Sequence, residues 1–166
     1  YIVMDRISNL IVAMTEYFLG DKKRINHYIK VHEYAKTIAV LEGVPEDTLY
    51  TLEVASIVHD IGIKNSELKY NSTAGKYQEI EGVPEALKLL TKLNFEPDVI
   101  DRVCYLVGHH HTYDNIQGLD YQILVEADFL VNLYEDSSSK EAIINAKHKI
   151  FKTNTGIKLL NNIFNV

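Results

Sequence analysis

The stretch on which the fold turns is Arg24-Ile25-Asn26-His27-Tyr28-Ile29-Lys30-Val31-His32-Glu33-Tyr34-Ala35-Lys36-Thr37-Ile38-Ala39. His27, Val31, Tyr34, Ile38 and Leu41 recur at the three- and four-residue spacing of one helix face, which predicts a helix from about Lys22 to Glu42. Gly43 and Pro45 close it. The same periodicity extends outward on both sides. Upstream, an amphipathic helix is expected from Ile2 to Leu19, stopped by Gly20-Asp21. Downstream, a third begins at Pro45-Glu46-Asp47 and carries Leu52, Ala55, Ser56 and His59 along one side. It stops near Gly62, where a residue without Cβ lets the chain turn.

From Asn65 to Gln78 the pattern lapses into a polar loop, and helices resume from Val83 to Leu93, with Pro84 in a first turn, and from Pro97 to about Gly108. A second polar loop covers His109 to Gly118. Tyr121 to Tyr134 reads as a central apolar helix, although Ile123-Leu124-Val125 alone would also suit a strand. Two further helices, Lys140 to Phe151 and Gly156 to Phe164, complete an all-α helical bundle, expected to be a single domain over residues 1–166 with the helices of 140–164 packed on its core. No repeat, low-complexity tract or linker divides it.

Composition narrows the function. A chain of 166 residues, 46% hydrophobic and 24% charged, can bury roughly two-thirds of its unfolded surface without disulfide or metal staples. A single cysteine, Cys104, leaves a reducing, cytoplasmic setting as the expectation and removes thiolate metal sites. Seven histidines against that one cysteine mean that any transition metal must be held by imidazole and carboxylate. The net charge of −6, without a Lys/Arg block, argues against a nucleic-acid polymer as partner. No apolar run approaches the ~20 residues that span a bilayer. Tyr1 to Gly20, interrupted by Asp5, Arg6, Ser8, Asn9 and Glu16, reads as neither anchor nor signal peptide.

The informative positions are polar groups on apolar helix faces, since burying one without a partner costs on the order of 2–7 kcal/mol. His27 heads the stripe of the second helix, His59 and Asp60 follow Ala55-Ser56-Ile57-Val58, and Asp128 has Leu124, Val125, Val131 and Asn132 as helical neighbours. Any one of them has an ordinary reading as a paired core or capping residue. Together, two imidazoles and two carboxylates on three helices match the donors of a divalent transition ion with positions left for water.

In this order, Arg24 to Ala39, then Ala55-Ser56-Ile57-Val58-His59-Asp60-Ile61-Gly62, then Glu126-Ala127-Asp128, the chain resembles the HD-domain superfamily of metal-dependent phosphohydrolases over a motif core of about 23–135. The resemblance implies an HD-type all-α bundle with metal ligands His27, His59, Asp60 and Asp128. An aspartate placed beside the attacking water can also take its proton, which makes Asp60 the candidate catalytic base. The ion is expected to be Mn, Fe, Co, Ni or Zn, one per chain with a second conceivable.

The paired histidines of Gly108-His109-His110-His111-Thr112-Tyr113 resemble those that bind a second metal or the substrate phosphate in some subfamilies, which assigns that role to His109 and His110. Extending the stripe of Val103 and Val107 instead turns His110 and His111 inward and His109 sideways. Dinuclear relatives carry a further histidine between the His-Asp pair and this cluster. Here none lies between His59 and His109, and Gln78, Glu79 and Glu81 are the nearest substitutes.

Lys64, with Lys69 and Lys76, supplies local positive charge for a phosphate. Tyr70, Tyr77 and Tyr113 cluster in the two loops and suit packing or stacking on a base, whereas His32 and His148 lie on charged faces and are expected to be solvated. The function expected is hydrolysis of a small phosphate ester, plausibly a nucleotide, by a metal-activated water. The alternative is a non-catalytic regulatory HD domain that binds metal or nucleotide. A homodimer through the first and last helices is a further expectation.

Overall fold

Four of the helices start on a side-chain cap. The computed structural model describes residues 5–166, so the expected start of the first helix at Ile2 lies outside the described residues. The described residues form nine helices: α1 (Arg6–Tyr17), α2 (Lys22–Leu41), α3 (Glu46–Val58), α4 (Ile63–Tyr70), α5 (Gly75–Lys92), α6 (Pro97–Val107), α7 (Leu119–Glu135), α8 (Lys140–Lys149) and α9 (Asn154–Phe164). Among the described residues there is no strand. Ile123-Leu124-Val125 is helical and buried. Asp5, Asp21, Ser139 and Thr153 each accept a hydrogen bond from a first-turn amide, the usual way to satisfy the unpaired N–H groups of a helix start.

The bundle is organised around α2, α3 and α7, which pack on one another. On α2 the buried face is His27, Tyr28, Val31, Ala35, Ile38 and Ala39. Tyr34 lies at its edge, and Leu41, expected on the stripe, is 68% exposed. α1 turns Leu10, Met14 and Phe18 into the core and leaves Val12 and Leu19 outside. Burying side chains of this size is worth roughly 1.5–3 kcal/mol each before the entropy of ordering them is subtracted. Among the described residues no helix is long and apolar enough to cross a membrane.

Two expectations are corrected. The polar segment Asn65 to Gln78 is mostly helical, comprising α4 and the start of α5, with only a short break at Asn71, whose φ is +49°. The reason lies in what these helices bury: Ser66 on α4 and Gln78, Glu81 and Gly82 on α5. Their inward faces are polar or small, so hydrophobic periodicity vanishes although the backbone is regular. Pro84 consequently sits inside α5 rather than in a first turn. The carbonyl it leaves without a donor belongs to Ile80, a residue 58% exposed, where water can take its place.

The second correction concerns Gly62, whose φ of −79° needs no glycine. A Cβ there would stand 2.3 Å from the Gln78 carbonyl oxygen and 2.4 Å from the Gly82 nitrogen. Its small size therefore lets α5 cross the end of α3 in backbone contact.

At the other end of the chain, the fully buried carboxylate of Glu126 on α7 accepts from the backbone amides of Lys152 and Thr153, each at 3.0 Å, and from Thr153 Oγ1 at 2.6 Å. The segment between α8 and α9 is thus tied to the helix that carries Asp128.

Candidate metal centre

Three helices and one turn bring their polar side chains together at a single cleft. His27 stands in the second turn of α2, His59 and Asp60 directly follow α3, Asp128 lies mid-way along α7, and His110 and His111 come from the turn after α6. His27 Nε2 is 3.1 Å from Asp60 Oδ2 and 3.1 Å from Asp128 Oδ1. It is 3.2 Å from His59 Nε2, which is itself 3.4 Å from those two oxygens. Asp60 turns its other oxygen, Oδ1, toward His110 Nε2 at 3.4 Å.

Each of these three rings is held from behind. His59 Nδ1–H donates to the Ser56 carbonyl at 2.6 Å, His110 Nδ1–H to the Val107 carbonyl at 2.7 Å, and His27 Nδ1–H to Glu135 Oε1 at 2.6 Å. A ring that donates from Nδ1 presents Nε2 to whatever lies in front of it.

The electrostatics favour positive charge at the centre. Burial favours neutral rings, yet the hydrogen bonds and charges of Asp128 and Asp60 outweigh it and push His27 up to about 11. Burial also disfavours the carboxylates. It is overcome at Asp60 by the charge of His59, the facing His110 ring and the hydrogen bond from His27, and at Asp128 by the His27 hydrogen bond and the His59 charge, so both sit well below the usual range. His110 is raised against its burial by Asp60. His111 moves the opposite way, to about 4, through burial and the neighbouring His110 charge.

Inward-facing nitrogens ringed by carboxylate oxygens need positive charge among them, either a proton or a cation. His110 Nε2 is buried without a hydrogen-bond partner, a costly state for a polar atom. Imidazole nitrogens fixed from behind, together with carboxylates, suit a first-row divalent ion. The donor atoms form two groups, His27/His59/Asp60 and Asp60/His110/His111, each within 4.8 Å and joined through Asp60.

The cleft above has a volume of about 600 Å³. Lys23 and Arg24 stand on its lining, Tyr113 and Phe129 meet edge to face with centroids 5.2 Å apart, and Asn132, Glu135 and Asp136 complete the α7 side. Arg24 is shared with Asp21 at 3.2 Å and with Glu67.

The structure gathers His27, His59, Asp60, Asp128 and His110, but it places three other expected residues elsewhere. His109 faces away from the cluster, stacked on Tyr105 at 4.1 Å with Nδ1–H donating to the Tyr105 carbonyl at 2.7 Å. His111 takes the place expected of it. Glu79 accepts from the His111 amide and from Thr112 Oγ1, both at 3.0 Å, which makes it a brace for the histidine turn rather than a free ligand. Lys64, in the first turn of α4, points back to α1, its ammonium 5.3 Å from the centroid of the Tyr17 ring.

Lys69 pairs with Glu81 at 2.7 Å, and Lys76 lies over Tyr77. Tyr70 and Tyr77 stack on each other, leaving Tyr113 as the one expected tyrosine on the cleft. His32 is paired with Glu53 at 3.0 Å rather than solvated. Residues that sequence reasoning missed are Glu135, Lys23 and Arg24. Glu135 follows Asp128 by seven positions, a spacing that returns to the same helix face and was legible in the sequence. Gln78, the nearest substitute for the missing histidine, receives a hydrogen bond from His111 Nε2 at 3.0 Å and itself donates to the Thr73 carbonyl at 2.6 Å.

Comparison with known proteins adds two findings. The family model described as HD domain matches residues 24–147. A crystal structure of a protein described as a predicted HD superfamily hydrolase, from an uncultured Thermotogales bacterium, superposes with a TM-score of 0.67 at 24% sequence identity, covering 96% of this chain and 83% of that one. No curated protein matches the chain in sequence.

Proposed function

This chain belongs to the HD domain family, and from that premise we propose that it is a metal-dependent phosphohydrolase acting on a small phosphate ester, plausibly a nucleotide. The observation that carries the reading is the convergence of the Nε2 atoms of His27, His59 and His110 on Asp60 and Asp128 at the base of one cleft. His27, His59, Asp60 and Asp128 would hold a first-row divalent ion. When bound, such an ion polarises a phosphoryl oxygen and acidifies water.

The chain's own groups supply the rest. Asp60 Oδ1, on the side away from His27, is the atom we assign to accept the proton of the attacking water. His110 is held toward its charged form by Asp60, and as an imidazolium its buried Nε2–H is a preformed donor to a phosphoryl oxygen; fixed donors of this kind need no reorganisation as charge develops. Lys23 and Arg24 favour an anion at the mouth of the cleft. Tyr113 against Phe129 offers an aromatic wall for the non-phosphate part of the substrate, a geometry that suits a ring.

A panel of phosphate esters assayed with Mn²⁺, Fe²⁺, Co²⁺, Ni²⁺ and Zn²⁺ tests the proposal. Metal-dependent turnover that disappears in Asp60→Ala is expected. Turnover that survives in this variant overturns the assignment, and stoichiometric metal without hydrolysis of any ester favours a binding module instead.

A further inference from the structure

His59 and His110 find their acceptors within their own turn, on the carbonyls of Ser56 and Val107 three residues earlier. Neither contact depends on another helix. His27 has no such recourse, because it sits inside α2, where the nearby carbonyls already serve the helix. Its Nδ1–H must be met from outside, and Glu135 meets it from 108 residues further along the chain at 2.6 Å.

The placement of Glu135 is costly on its own terms. It is the last residue of α7, where the partial negative charge of the helix end disfavours a carboxylate. Its side chain is only 14% exposed, and among the described residues its ion-pair partner is His27. Asp128 and Glu135 are two turns apart on one face of α7, so a single rigid element grips the His27 ring at both nitrogens.

We infer that Glu135 is a positioning residue for the metal centre: it fixes the ring plane of His27 and aims Nε2 at the ion site without touching the ion. The inference rests on the metal-dependent reading above. A carboxylate behind a ligating imidazole orients the ring and raises its basicity, and losing such a partner typically weakens metal binding about 10–100-fold.

Co²⁺, whose visible absorption reports ligand geometry, is the probe. Its affinity is measured by competition with a chromogenic chelator for the wild type, Glu135→Ala, Glu135→Gln and Asp136→Asn, each checked for folding by circular dichroism. Glu135→Ala is expected to bind about 10–100-fold more weakly with an altered spectrum. Glu135→Gln keeps an acceptor of the same shape, so it should recover the wild-type spectrum and part of the affinity. Asp136→Asn, which removes a neighbouring charge without a contact to His27, should change affinity by less than either.

Wild-type affinity and spectrum in folded Glu135→Ala overturn the inference alone. An equal loss in Asp136→Asn and Glu135→Gln also overturns it, because charge rather than positioning would then be the cause. A wild-type chain that binds no Co²⁺ removes the metal-dependent reading and the inference together.

Discussion

The floor of the cleft and its far wall are built on different principles. On the floor, His27 and Asp128 lie inside long helices and the His59-Asp60 pair closes another, so their directions follow from helical periodicity. On the far wall, His110 and His111 stand in a turn whose direction is set by the last turn of α6 and by Glu79 bracing the His111 amide and Thr112. The floor can therefore be read from spacing alone, whereas on the wall spacing gives only the inward direction of His110 and His111 and the Glu79 contact holds the turn in place.

The sharpest way to break this contrast is Asp60→Ala, since Asp60 faces both sides. Turnover should fall by at least about 10²–10⁴-fold, the range that a positioned proton acceptor supplies, measured as metal-dependent release of phosphate. Next is a paired test of the wall. His110→Ala should cost about 10²–10³-fold in turnover, as expected for losing one preformed contact to a developing charge. His109→Ala, which removes only a ring stacked on Tyr105 outside the cluster, should leave turnover within a few-fold of the wild type. Equal losses would mean that the wall is not oriented as described.

The floor also has a pH signature. In metal-free protein the His27 imidazolium lies between carboxylates, and its folded value of about 11 exceeds the unfolded value near 6.5. Its stabilising contribution is fully present below pH 6.5 and is lost as pH rises through 11. Thermal melts in chelator should therefore fall from pH 7 to 10, with a shallower slope in His27→Gln. Metal affinity should rise over the same span, because the ion displaces the Nε2 proton. The smallest effect expected is on the scaffold: Gly62→Ala should lower stability by about 1–3 kcal/mol, the usual cost of overpacking, measured by urea titration.

How much was legible follows the same division. The four donors on α2, α3 and α7 were visible because each interrupts an apolar stripe. His111 was visible too: extending the Val103 and Val107 stripe turned it inward, and only the resemblance to paired histidines favoured His109. α4 and the start of α5 were hidden because a helix facing a polar cleft carries polar or small residues on its buried side, as Ser66, Gln78 and Gly82 do. Lys64 failed for a related reason, since nearness in sequence to the His-Asp pair says nothing about which side of α4 a lysine leaves from. Glu135 was the avoidable omission, because its seven-residue distance from Asp128 is an ordinary helical repeat.

The clamp on Glu126 decides where this chain can be cut. Ending it after Lys149 would keep every donor of the cleft, yet strip the amides of Lys152 and Thr153 from a carboxylate with no exposed surface. Each hydrogen bond lost to a charged group costs roughly 1.5–3 kcal/mol, and the helix that bears Glu126 is the one that delivers Asp128. A shortened version is thus expected to lose its ion before it loses its helices, which makes the C-terminal tail a tuning peg for the centre rather than an ornament on the bundle.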